Sequence, residues 1–194
     1  LQGGDGESKI LICGIDTETT SKLSPDHRII ELHLQKWDFD PVTFERKKIS
    51  DKTWRINPER SIDPKAYAVH KISLDDLAGK PNFAACGREI VAAMADVDLF
   101  VGHNGDEFDR IFLRLEIERT MPDLLPALDG QKWFDTMQNG RWATPWGKAP
   151  TLAELAFATD VPYDTTEAHA AEYDVDRTMR CFFFGIQTGF FVLR

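Results

Sequence analysis

Asp16 and Glu18 stand two residues apart at the end of a short apolar run, in Ile15-Asp16-Thr17-Glu18-Thr19-Thr20. In a strand, residues i and i+2 point to one face, so the two carboxylates are held side by side. Like charges that close are unfavourable unless a cation lies between them. A divalent metal is the natural partner, although an isolated pair of this kind is more often a solvated polar turn. Further along, Gly102-His103-Asn104-Gly105-Asp106-Glu107-Phe108-Asp109 runs from a strand end into a helix. Asn104 or Asp106 is expected to cap that helix and Phe108 to face the core, which turns Asp109 towards the same sheet edge. An exposed Asp favoured by the helix dipole is the plain alternative. The third group is His169-Ala170-Ala171-Glu172-Tyr173-Asp174. Five residues of helix turn through about 140°, so His169 and Asp174 cannot share a helical face. The spacing works if His169 lies in the loop ahead of the helix and Asp174 in its first turns. A surface histidine before an acidic helix start is the other reading.

These groups need elements to hold them. Lys9 to Ile15 is too short for a helix and rich in Ile, so it reads as a buried strand. Arg28 to Phe39 and Phe44 to Ile56, separated by the Asp40-Pro41 turn signal, predict a hairpin pairing with it. Short helical pieces follow around Lys65 to Leu77. Phe83, Ile90, Met94 and Val97 then recur at helical spacing after Pro81-Asn82. Asp98 to Gly102 is expected as a second buried strand, followed by a helix from near Asn104. Gln131 to Met137 reads as a strand and Thr151 to Ala158 as a short helix. Val175, Met179, Phe182 and Ile186 mark the last helix. The order β-β-β-α-β-α-β-α-α predicts an α/β fold, a mixed β-sheet of three meandering strands then alternating β/α, flanked by helices.

Bulk properties narrow the choices. The 194 residues fit one domain, and 42% apolar residues with thirteen phenylalanines suffice for one core. Residues 1–8 lack an initiating Met and an apolar core, and read as a flexible terminus or cloning remnant, leaving 9–194 as the domain. A net charge of −9 is a poor footprint for coating long nucleic acid, but does not exclude gripping a few nucleotides at a chain end. Cys13, Cys86 and Cys181 are widely spaced, which fits a reducing, cytoplasmic compartment over a zinc or disulfide framework. No run approaches the roughly 20 apolar residues of a membrane span. The loop from Gln138 to Pro150 carries Arg141, Trp142, Trp146 and Lys148. That mixture suits a single nucleic-acid strand, yet a loop packed by its own tryptophans explains it at least as well. The basic run Arg46-Lys47-Lys48 reads as a solvated face.

Taken in order, Asp16-Thr17-Glu18-Thr19-Thr20, His103-Asn104-Gly105 to Phe108-Asp109, and His169-Ala170-Ala171 to Asp174 resemble the DEDDh 3′→5′ exonucleases of the DnaQ-like, RNase H-fold superfamily. The likeness extends from Ile12 to Ile186. Arg28-Ile29-Ile30-Glu31, Ala68-Val69-His70-Lys71-Ile72 and Phe134-Asp135-Thr136 resemble its secondary motifs. The resemblance implies metal ligands Asp16, Glu18, Asp109 and Asp174, and His169 as general base. It implies two divalent cations, Mg²⁺ or Mn²⁺, about 3.5–4 Å apart, which oxygen ligands favour over zinc. The substrate implied is a nucleic-acid 3′ end, with single-stranded DNA favoured. RNA trimming, or an inactive nucleic-acid-binding module on the same fold, are the alternatives. Thr19 and Leu23 follow the first motif and are expected to touch the terminal nucleotide, while His70 and Asn104 match family positions near the substrate; their plain readings are a turn hydroxyl, a buried apolar chain, a loop histidine and a helix cap. Ala170 stands where the tyrosine subclass has its tyrosine. Ser21-Lys22-Leu23 replaces the usual Gly after Thr-Thr, which implies a reshaped wedge loop. One extra residue between Asn104 and Asp109 brings the spacing nearest to TREX-type or phage domains. A polymerase or repair partner stays open.

Overall fold

The computed structural model describes residues 9–22 and 25–193. Leu23, one of the expected substrate contacts, lies outside them. Five strands form one sheet in the order β3-β2-β1-β4-β5. Strand β1 (Ile10–Thr19) is central, antiparallel to β2 (Ile29–Phe39) and parallel to β4 (Leu99–Gly102). Strand β3 (Arg46–Arg55) completes the meander, and β5 (Trp133–Asp135) lies parallel to β4. The hairpin closes as Asp40-Pro41 predicts. Asp40 Oδ1 accepts the amides of Val42 at 2.8 Å and Thr43 at 3.1 Å, the side-chain turn that Asp favours.

The described residues also form seven α-helices: α1 (Pro64–His70), α2 (Leu74–Leu77), α3 (Phe83–Met94), α4 (Asp109–Thr120), α5 (Thr136–Asn139), α6 (Leu152–Ala158) and α7 (Ala171–Thr188). The side-chain alternation of β1 sorts them into two layers. Cys13 and Ile15 join a core with residues of α3 and α4, while Ile12 joins one with residues of α6 and α7. Gly14 lies on the second face, where a Cβ would come within 2.8 Å of Met179 and Val175 side-chain atoms, so α7 lies directly on the strand. Asp16 and Glu18 continue that face, and Thr17 points to the other.

Three boundaries differ from the sequence expectations. Strand β5 stops at Asp135 because that side chain caps α5, accepting the amides of Met137 and Gln138. Helix α4 begins at Asp109 and carries no side-chain cap, since Asn104 takes a left-handed φ of 66° and Asp106 pairs with Arg110. Strand β1 continues through both acids to Thr19, where its register with β2 shifts after Glu18. The three cysteines are buried and free. No helix among the described residues is long and apolar enough to cross a membrane.

Candidate active site

Three carboxylates converge at the C-terminal edge of β1, the edge where α/β sheets place their sites. Asp16 and Glu18 come from the strand and Asp174 from the first turn of α7; one oxygen from each lies within 4.8 Å of the others. They open into a cleft of about 1020 Å³ that is also lined by Asp109, His169, His70 and Asn104.

Asp109 is buried at 2% exposure but stands outside the three-acid cluster. The hydroxyl of Thr17 donates to its Oδ1 at 2.5 Å, crossing from β1 to α4. The residue between the two strand acids thus fixes the fourth. The close approach also needs Gly105, where a Cβ would sit 3.0 Å from the Cα of Gly102 and 3.4 Å from Asp109 Oδ2.

Asp174 Oδ2 accepts the backbone amide of His169 at 3.2 Å, whereas its Oδ1 is buried without a partner among the described residues. His169 is exposed, with a left-handed φ of 68°, in the loop ahead of α7. The residue lines the cleft and its backbone amide is tied to an acid of the cluster.

The surroundings of these acids raise all four above the usual carboxylate range. Burial, with the neighbouring charges of Asp109, Glu18 and Asp174, holds the Asp16 carboxyl well above the usual carboxylate range. Burial next to Asp174 and Glu31 pushes Glu18 up to about 9. Burial raises Asp109 to about 7 despite the Thr17 hydrogen bond, and Asp174 to about 6. Convergent carboxylates, one oxygen without a partner and an all-oxygen donor set fit a hard divalent cation such as Mg²⁺ or Mn²⁺.

The expected substrate contacts divide. The Thr19 hydroxyl donates to the Ser21 carbonyl at 2.8 Å, so it is used within the turn. His70 Nδ1 accepts the Ile72 amide at 3.0 Å, so its Nε2–H donates to the Thr19 carbonyl at 3.2 Å. Burial holds its pKa below the usual imidazole value, and the neutral ring is a strut between α1 and the end of β1. Asn104 lines the cleft but caps no helix; its backbone N–H donates to Asp135 Oδ1 at 3.0 Å.

Glu31 does more than its sequence position suggests. It sits opposite Glu18 in register, is 3% exposed, and is ion-paired with Arg55. Its Oε1 accepts the amide of Ala171 at 3.0 Å. Helix α7 has no side-chain cap of its own, so Glu31 fixes the helix start that carries Asp174. Glu31→Ala should weaken Mn²⁺ binding and turnover by about 10–100-fold, the usual cost of losing a group that orients a ligand. Glu31→Gln keeps an acceptor for Ala171 and should retain most of both. Titration calorimetry checks the order; equal losses in the two variants would count against this role.

A family model described as Exonuclease, of the RNase T type, matches residues 13–182. The DNA polymerase III subunit epsilon of Rickettsia typhi is 32% identical over 164 residues, covering 82% of this chain and 67% of the subunit. The 3′-5′ exonuclease DinG of Staphylococcus haemolyticus is 30% identical over 166 residues, 84% of this chain. Among solved structures, Escherichia coli exonuclease I in complex with single-stranded DNA superposes with a TM-score of 0.77 at 18% identity over 92% of this chain. Exonuclease X in complex with 5′-overhanging duplex DNA gives 0.63 at 24% identity, over 92% of this chain and 93% of that one. The chain spans only 17% of DinG and 41% of exonuclease I. By family match, sheet order and acid placement, the chain belongs to the DEDDh-type, DnaQ-like 3′→5′ exonuclease family.

Proposed function

We propose that this chain hydrolyses phosphodiester bonds at 3′ ends, preferentially of single-stranded DNA, and releases nucleoside 5′-monophosphates. The observation that carries the reading is the convergence of Asp16, Glu18 and Asp174 beneath the His169 loop. Asp16, Glu18, Asp109 and Asp174 would hold two divalent cations. Bound there, such ions stabilise charge on the attacking and leaving oxygens of an in-line displacement. Thr17 keeps one oxygen of Asp109 occupied and so orients the other. His169 would take the proton of the attacking water on an imidazole nitrogen, its loop tethered through the amide to Asp174. Lys22 and Lys65 line the same cleft and supply positive charge for phosphates in an otherwise acidic chain. The relatives and structural neighbours include a DNA polymerase III epsilon subunit and exonucleases bound to single-stranded or duplex DNA, which supports DNA over RNA and, through the epsilon subunit, a polymerase partner.

Incubating the chain with end-labelled single-stranded DNA, duplex DNA and RNA, with Mg²⁺ or EDTA, tests this. Mg²⁺-dependent mononucleotide release from DNA 3′ ends is expected. Release from RNA alone would reassign the substrate, and none with Mg²⁺ or Mn²⁺ would overturn the reading. His169→Ala should lower turnover at neutral pH by about 10²–10⁴-fold. Near-full turnover in that variant would remove the general-base role.

A further inference from the structure

The segment between α5 and α6 forms an arm beside the cleft, and its two tryptophans are treated in opposite ways. Trp142 anchors the base: its ring stacks on Phe190 with centroids 4.5 Å apart and meets Phe191 edge-on. Trp146, four residues on, is 102% exposed. A single exposed apolar side chain is ordinary. This one is held out by its backbone, at φ 62° and ψ 14°, a left-handed conformation uncommon for a bulky residue.

The turn that presents it is pinned on both sides. Arg141 Nη1 donates to the Gly147 carbonyl at 3.1 Å and Nη2 to Gln138 Oε1 at 2.9 Å, while the Thr144 hydroxyl donates to the Lys148 carbonyl. Lys148 pairs with Glu154 at 2.7 Å. Burying an indole would be a strongly favourable alternative, yet the arm is built to forgo it. Among the described residues Arg141 has carbonyl acceptors but no carboxylate partner, so its charge is left for an anion.

The arm continues straight into the cleft wall. Ala149, Pro150 and Thr151 line the cleft, and His103 Nε2 lies 3.0 Å from the Pro150 carbonyl. Two residues separate Trp146 from Ala149 in that wall, at most about 11 Å of extended chain. We propose that Trp146 is a base-stacking platform, with Arg141 as its phosphate contact, for nucleotides of a single strand on the 5′ side of the 3′ end in the cleft. Every base offers a π-face, so such a platform is sequence-tolerant and demands an unpaired strand. The proposal rests on reading the cleft as the 3′-terminal site.

The test is fluorescence anisotropy of labelled single-stranded DNA in EDTA, where no hydrolysis intervenes. Trp146→Gly should raise the Kd of a 20-nucleotide strand about 5–20-fold and leave that of a dinucleotide unchanged. Trp146→Phe should restore most of the difference. Glycine suits the left-handed turn, so the melting temperature of Trp146→Gly should hold or rise, separating lost stacking from lost folding. With Mg²⁺ added, KM on the long strand should rise by the same factor with kcat within about twofold. Equal Kd values for wild type and Trp146→Gly on the long strand would overturn the platform, whatever the hydrolysis assay gives. Absence of Mg²⁺-dependent release from the wild type would instead overturn the proposed function.

Discussion

Asp16→Asn and Asp174→Asn are each expected to lower mononucleotide release by at least about 10³-fold while leaving the fold intact. The size follows from the several kcal/mol of transition-state charge stabilisation that a held cation supplies, at 1.36 kcal/mol per tenfold in rate. Both substitutions keep the shape of the side chain and remove one negative charge from a cluster with oxygens within 4.8 Å. They should therefore have opposite effects on two observables. Turnover falls because a ligand charge is gone. Metal-free stability rises, because the carboxyl that burial and the neighbouring charges of Asp109, Glu18 and Asp174 hold well above the usual range is gone. An activity loss from general misfolding would lower both. The two losses should not add in the double variant, since removing either ligand already disables the site as a unit. Single-turnover release, paired with a melting curve in EDTA, decides the matter. Either variant retaining more than about a tenth of wild-type turnover would exclude that residue from the ligand set.

How far the sequence carries such a site depends on the range of the contact. The Ile-rich run and the i, i+2 spacing place Asp16 and Glu18 on one strand face, and the structure has both on the α7 side of β1. The separation of His169 from Asp174 requires a loop-to-helix transition between them, and α7 begins at Ala171. Asn82 before α3 and the Thr151–Glu154 box before α6 are local capping patterns of the same legible kind. Contacts that cross the sheet leave no such trace. Thr17 reaches Asp109 across 92 positions and Glu31 reaches Ala171 across 140, and only the strand order brings them together. The start of α4 departs from the sequence expectation for a related reason: Asp135, on a neighbouring strand, takes the Asn104 backbone amide and helps hold a left-handed residue in place of a cap. The arm between α5 and α6 shows the limit most plainly. Composition offers stacking and self-packing as rival readings, while in the structure Trp142 packs on Phe190 and Trp146 is exposed.

In EDTA, the melting temperature should fall as pH rises from 7 to 8.5, by about 3–5 °C per unit for each proton the folded state retains and the unfolded chain has lost. The sign comes from the direction of the carboxyl shifts. Glu18 is raised from an ordinary 4.5 to about 9 and Asp109 from 3.8 to about 7, so the folded chain binds more protons than the unfolded one. Stability from a raised carboxyl is complete below its unfolded value and is lost as pH climbs through the folded one. The window matters. Below about 6.5, His70 and His103, whose pKa values burial lowers, favour the folded chain as pH rises and oppose the trend. Above 8.5 the buried thiols begin to contribute, with Cys13 pushed up to about 12. Between these limits the acidic cluster dominates. A divalent cation binds the deprotonated form, so it restores what alkaline pH removes. At a hundred times its Kd, Mn²⁺ should raise the melting temperature by about 5–10 °C at any pH, because that ratio fixes the linkage energy at about 2.7 kcal/mol. The pH dependence lies in the Kd, which should tighten by up to tenfold per unit for each proton displaced. At one fixed Mn²⁺ concentration the gain should therefore be larger at pH 8.5 than at pH 6. A metal-free melting temperature that is flat or rising across the window would mean that the carboxylates are not gathered as described, and the metal reading would fall with them.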